Sequence, residues 1–282
     1  MNMNFKRYLC QEFIEAEVGC SDPTQLGQYK DRIDSIQLSA SKLSDLKNAI
    51  RTDSTDVFYK ASVSFLESLY SLRRGHSSWA IIKLYYSIFY SLRAFLLLEG
   101  YSIFKNGKGD IFFLECVENA VPIRISTNKI KGDHKTTIKA FAELCKSHKL
   151  NTNTIDSISV FEWAIQCREL VNYRSSSFIE PDYGYEAVPE DLRDLNRLEG
   201  LLANYINDPY YTYCFLEEHS LLATASVLMN ELVDMFRNDG VAFLTDERHV
   251  FLKAIIKKSG LMNMSVLRGL FLNDADILIM EE

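Results

Sequence analysis

Apolar positions recur at helical spacing along most of the chain, and they predict a series of helices. Phe5, Tyr8, Leu9, Phe13 and Ile14 mark a first helix ending near Gly19, after which Ser21-Asp22-Pro23 breaks the chain. Leu38, Leu43, Leu46 and Ile50 mark a second, and Asp53-Ser54 reads as the cap of a third whose stripe is Phe58, Ala61, Phe65, Leu69 and Leu72. Gly75 then turns the chain into its most apolar stretch, SSWAIIKLYYSIFYSLRAFLLLEG, from Ser77 to Gly100. Gly100 sits where a helix C-terminus favours a residue tolerant of a left-handed backbone. Apolar side chains cover nearly the whole circumference of this stretch, which predicts a helix buried on most sides. Two long apolar helices joined by so short a turn are expected to lie antiparallel, as in a bundle.

Beyond Gly100 the pattern loosens. Lys105 to Gly109 reads as a loop, Ile111 to Val121 as a short helix stopped at Pro122, and Ile123 to Ile125 as extended. A basic run follows with Lys129, Lys131, His134 and Lys135, then a helix with Ile138, Phe141 and Leu144. Ile155, Ile158, Phe161 and Ile165 start another, and steps of three and four along that face land on Arg168 and then Asn172. A polar turn at Ser175-Ser176-Ser177 leads to PDYGY at Pro181, and a helix starting from Pro189 carries Leu192, Leu195, Leu198, Leu202 and Tyr205. Asp208-Pro209 reads as a boundary. Leu221, Leu228, Leu232, Met235 and Phe236 belong to a long helix ending near Gly240. Thr245 caps the next, and Met264 to Leu272 is the last. The expectation is an all-α chain in three parts: N-terminal helices over 1–54, a helical bundle over 55–209, and an additional C-terminal helical segment over 210–282.

One stripe of the central helix changes the picture. Lys83, Tyr86, Tyr90 and Arg93 follow spacings of three, four and three, so two cations and two phenols share a face. Lys83 and Arg93 also cut the stretch into runs shorter than the about 20 apolar residues that span a bilayer. A core helix is therefore expected rather than a membrane span. The N-terminus lacks the apolar segment of a secretory signal, so the expected location is cytoplasmic. Twelve Gly and five Pro in 282 residues favour helices, and a net charge of −7 argues against a protein that coats nucleic acid generally while leaving room for a local basic groove. The six cysteines form no C-x-x-C pair and the five histidines no H-x-x-x-H pattern, so buried thiols are expected, with no disulfide framework, metal or cofactor. No Walker loop, G-x-S-x-G elbow or dinucleotide fingerprint occurs.

Three segments, in order, carry a family resemblance: WAIIKLYYSIFYSLRAFLLLEG from Trp79, GDHKTTIKAF from Gly132, and RELVNYR from Arg168. Together they resemble the tyrosine-pair branch of the HEPN superfamily over roughly residues 55–207. The resemblance implies an antiparallel helical bundle that dimerises. It also implies a place in bacterial defence or toxin systems and an RNA-directed site built on an Arg, four to six residues, then His. Here the positions after Arg168 that would hold the His carry Tyr173, Arg174 and Ser175. A phenol with an unperturbed pKa near ~10 is a poor general base at neutral pH but still hydrogen-bonds a phosphate. The resemblance thus assigns Arg168, Asn172 and Tyr173 to the catalytic position, in a metal-independent ribonuclease lacking the usual imidazole or in an RNA binder. Arg174, Lys83, Tyr86, Tyr90, Arg93 and His134 are the substrate-binding candidates.

Each of these has a plainer reading. Arg168 suits an internal salt bridge to Glu67 or Glu162, the tyrosine stripe suits core packing with hydrogen-bonded tips, and the basic run suits a solvated loop. The competing function is an inactive interaction module that docks a larger effector protein through an apolar face at Leu228, Leu232, Met235 and Phe236.

Overall fold

A computed structural model describes residues 6–107, 109–125, 132–180, 185, 187–189 and 192–272. Among them the chain is mostly helical, with a small three-stranded antiparallel sheet that the all-α expectation omits. It forms two compact units, Met1–Val57 with Leu92–Lys146, and Phe58–Ser91 with Ser147–Glu282.

The first unit holds α1 (Leu9–Glu17), α2 (Lys30–Asp34), the start of α3 (Leu43–Arg73), the end of α4 (Ser77–Leu98), the sheet, and α5 (Asp133–Leu144). The sheet consists of β1 (Tyr101–Lys105), β2 (Ile111–Glu115) and β3 (Ile123–Arg124) in that order, with Tyr101 opposite Glu115 and Lys105 opposite Ile111. The helix expected over Ile111–Val121 is thus a strand and a turn. Its apolar run Ile111-Phe112-Phe113-Leu114 is rich in the β-branched and aromatic residues that suit a pleated surface, and a run this short carries no helical period. Ile123 is extended as expected. In the hairpin loop Gly107 has φ +76, and a Cβ there would lie 2.6 Å from the backbone nitrogen of Gly27, so only glycine fits.

Asp53 does not start a helix. α3 runs unbroken from Leu43 to Arg73, and Asp53 lies in its interior, 1% exposed. Its carboxylate instead accepts the backbone N–H groups of Leu9 and Cys10, both at 2.8 Å, and so caps α1 from a distant part of the chain. Burial pushes this carboxyl above its usual value against the pull of those two donors.

The second unit holds the end of α3, the start of α4, α6 (Val160–Glu169), α7 (Leu195–Asn207), α8 (Glu217–Asn238), α9 (Asp246–Lys258) and α10 (Ser265–Phe271). Within it α3 and α4 are antiparallel, as the register shows: Ala61 O accepts from Ser87 Oγ at 3.2 Å, and Glu67 meets Lys83. α4 is apolar and long enough to cross a membrane by length and composition, and 78% of its most apolar window is buried within the chain, the surroundings of a core helix.

α6 begins at Ser159 with a capping box, in which Ser159 and Glu162 each bond the other's backbone N–H. Ile155 and Ile158, expected on this helix, pair with each other just before it. α7 starts at Leu195 behind an Asp194 cap rather than at Pro189. Leu228, Leu232 and Phe236, expected as a docking face, are fully buried, and Phe236 packs edge-on to Phe58 at 5.2 Å. Thr245 caps α9 as expected, its Oγ accepting from Arg248 N.

Candidate functional site

The C-terminus of α6 departs from α-geometry. Leu170–Arg174 forms a π turn, closed by Ser175 N–H donating to Leu170 O at 2.9 Å. A π turn holds more residues than an α turn, so a count by threes and fours loses its face there. Arg168, before the turn, is inward as expected, with its side chain 13% exposed. Asn172, within it, is exposed, contrary to its expected inward position. Tyr173 is 74% exposed, and Arg174 is exposed beside it.

Neither carboxylate expected to partner Arg168 does so. Glu67 bonds Lys83 Nζ at 3.2 Å, and Glu162 is engaged in the capping box. The Arg168 guanidinium carbon lies 4.7 Å from the centre of the Tyr85 ring and 5.8 Å from that of Tyr173. Glu169, half-buried, stands 3.6 Å from Arg168 and 3.3 Å from Arg174, so one carboxylate serves two cations. The Arg168 Nε is buried without a hydrogen-bond partner. Burial pushes the Tyr85 phenol well up, although Arg168 pulls it down.

Tyr85 is the residue that sequence reasoning missed, and it joins the two groups of candidates. Its ring meets Tyr86 at 5.4 Å, Tyr86 stacks on Tyr90 at 6.1 Å, and Lys60 lies over Tyr90 at 5.7 Å. Tyr173, Arg168, Tyr85, Tyr86, Tyr90 and Lys60 therefore form a continuous ladder within the second unit. Its middle is buried at Tyr85, and it reaches solvent at Tyr173 and again at Tyr86, Tyr90 and Lys60. Lys83 borders it, tied to Glu67 and to Ser71 Oγ at 3.0 Å. The pairing of adjacent Tyr85 and Tyr86 was visible in the sequence; Lys60, on another helix, gave no signal.

Two candidates lie in the first unit, apart from the ladder. Arg93 is 7% exposed in the first unit, over the Tyr8 ring at 5.8 Å. His134 is the second residue of α5, also in the first unit and half-buried. Of the basic run, Lys129 and Lys131 lie outside the described residues, and Lys135 is exposed.

A pocket of about 380 Å³ opens beside the π turn, lined by Ile81, Trp163, Gln166, Leu170, Arg174 and Tyr185 among others. Glu180 and Tyr185 are both bonded to Ser78 of α4. Glu180 accepts from Ser78 N at 2.7 Å and from Ser78 Oγ at 2.6 Å, and Ser78 Oγ lies 3.1 Å from the Tyr185 hydroxyl. Burial alone would raise the Glu180 carboxyl, but these donors outweigh it and hold it below the usual range. Cys167, also at the pocket, has its thiol pushed up to about 12 by burial, so it is neutral and inert.

Among the described residues no group of three or more His, Cys, Asp or Glu side chains is placed to hold a metal ion. The chemistry on offer is aromatic faces and cations, suited to stacking and to contact with anions. Compared with known protein families, curated proteins and solved structures, the chain matches none.

Proposed function

We propose that the chain is a HEPN-like helical protein of a bacterial defence or toxin system that binds single-stranded RNA along the tyrosine–cation ladder. The observation that carries this reading is the ladder itself. Aromatic faces interleaved with cations are the arrangement on which successive bases stack while phosphates pair. Exposed Tyr173 and Arg174 offer one contact region, and Tyr86, Tyr90 and Lys60 the other. Binding is favoured over cleavage because the motif positions after Arg168 supply a phenol and a guanidinium but no imidazole. A homodimer and a protein partner belong to the same reading through the resemblance.

The alternative, an interaction module, loses the apolar face first assigned to it. Val250 and Phe251 on α9 remain exposed as its candidate contact. Fluorescence anisotropy with a labelled single-stranded RNA distinguishes the two. Stacking of one base on an aromatic ring contributes about 1–3 kcal/mol, so Tyr86→Ala and Tyr173→Ala should each weaken binding roughly tenfold. RNA incubated with the wild type in EDTA should stay intact. Absence of RNA binding by the wild type would refute the reading in favour of the interaction module.

A further inference from the structure

We propose that the seam between α3 and α9 is a docking surface for an apolar segment flanked by carboxylates, and that its occupant is the chain's own residues 273–282, NDADILIMEE. None of the seam residues named below belongs to the tyrosine–cation ladder, so the inference stands apart from the RNA reading.

The seam lies within the second unit. Tyr59 and Tyr70 are about three turns apart on α3 and so share one face. On α9, Phe251 meets the Tyr59 ring at 6.4 Å, and Arg248 lies over the same ring at 4.8 Å. Further along α9, Lys258 lies over the Tyr70 ring at 5.8 Å, so the two helices run side by side in the same direction. Arg74, over Tyr70 at 5.5 Å, stands at the far end.

Two features of this face call for a partner. Its apolar groups stand in water: Val250 is 65% exposed and Phe251 50%, with exposed Ala254 one turn on. Its charge also opposes that of the whole. After its first turn α9 carries Arg248, Lys253, Lys257 and Lys258 and no carboxylate, in a chain of net charge −7. Among the described residues Arg74, Lys257 and Lys258 stand in no ion pair. Apolar side chains ringed by cations fit apolar side chains flanked by anions.

Residues 273–282 have that composition, with Ile277-Leu278-Ile279-Met280 between Asp274 and Asp276 on one side and Glu281 and Glu282 on the other. They also start close by. They follow α10, whose last residue, Phe271, has its ring 6.5 Å from that of Phe65, on the stretch of α3 between Tyr59 and Tyr70. Along α3, Phe65 lies about 9 Å from Tyr59 and about 7.5 Å from Tyr70. Four residues span at most about 14 Å, more than one helix diameter of about 10 Å, so Asp274 to Asp276 can carry the apolar run around to the seam. A tethered segment meets the face at an effective concentration in about the millimolar range, so modest contacts suffice to hold it.

The test uses the full chain. A carbodiimide joins a carboxylate to a lysine amine only where the two touch, and digestion with mass spectrometry maps the links. The expected links run from Asp274, Asp276, Glu281 or Glu282 to Lys257 or Lys258. Mixing normal with nitrogen-15-labelled chains separates links within one chain from links between copies. Leu278→Asp adds a carboxylate but removes an apolar contact, and Phe251→Ala trims the face. Each should lower the yield about twofold or more while helical circular dichroism is unchanged.

Absence of these links in the wild type overturns the proposal. Links confined to pairs of copies overturn it as well and make a second chain the occupant. A yield that Leu278→Asp leaves unchanged or raises also overturns it, because attraction between charges alone then accounts for the links.

Discussion

Arg168 holds a charge mostly withdrawn from water, and such burial is costly unless partners replace the lost hydration. Here the replacement is two aromatic faces and a shared carboxylate. A cation–π contact contributes roughly 0.5–2 kcal/mol depending on its desolvation. Arg168→Ala should therefore lower the stability of the fold by about 1–2 kcal/mol in urea denaturation, and weaken RNA binding by freeing Tyr173. Arg168→Lys should not restore either property, because a compact ammonium lacks the flat, delocalised guanidinium that lies within reach of both the Tyr85 and the Tyr173 rings. Asp53 gives a second test. Its carboxyl is raised by burial, so the native state binds its proton more readily than the unfolded chain does. The contribution of this group to stability is complete below the unfolded value of about 3.9 and falls as pH rises through the raised native value. The stability advantage of wild type over Asp53→Asn should thus be larger at pH 4 than at pH 7; an unchanged or growing advantage would contradict this account of Asp53.

At the scale of elements, the π turn decides which side chains reach solvent. Removing Asn172 should return the end of α6 to α-geometry and turn Tyr173 and Arg174 away from their present directions. The expected result is unchanged helical circular dichroism with RNA binding at least tenfold weaker, given about 1–3 kcal/mol for each lost stacking contact. Arg168 was legible as an inward residue because the apolar period of Phe161 and Ile165 runs straight into it. Asn172 was misplaced because nothing in Leu170 to Arg174 announces a change of period. Asp53 carried a true capping signal, but its target lay at Leu9 and Cys10, and a local reading assigns a cap to the nearest helix. The strand at Ile111–Glu115 was too short for its apolar run to tell strand from helix. Tyr86 and Tyr90 were legible as a stripe, whereas Tyr85 joins the ladder only through contact with Arg168, and the pocket only through the packing of α6 against α4 and Tyr185.

For the whole molecule, a net charge of −7 sets the electrostatic behaviour. On the proposed RNA reading, long-range attraction would be weak and binding would depend on a few local cations, chiefly Lys60, Lys83 and Arg174. Each phosphate neutralised on a single strand contributes about −0.7 to the slope of log K against log salt, so two to three contacts give a slope between about −1.4 and about −2.1. A slope beyond about −5 would mean a basic surface other than the ladder. The most direct test of the central claim is photocrosslinking of a single-stranded RNA containing 4-thiouridine, with the adducts mapped by mass spectrometry. Binding along the ladder predicts adducts in the peptides that carry Tyr86 and Tyr90 and in the peptide that carries Tyr173. Absence of adducts, or adducts confined to other peptides, would contradict it.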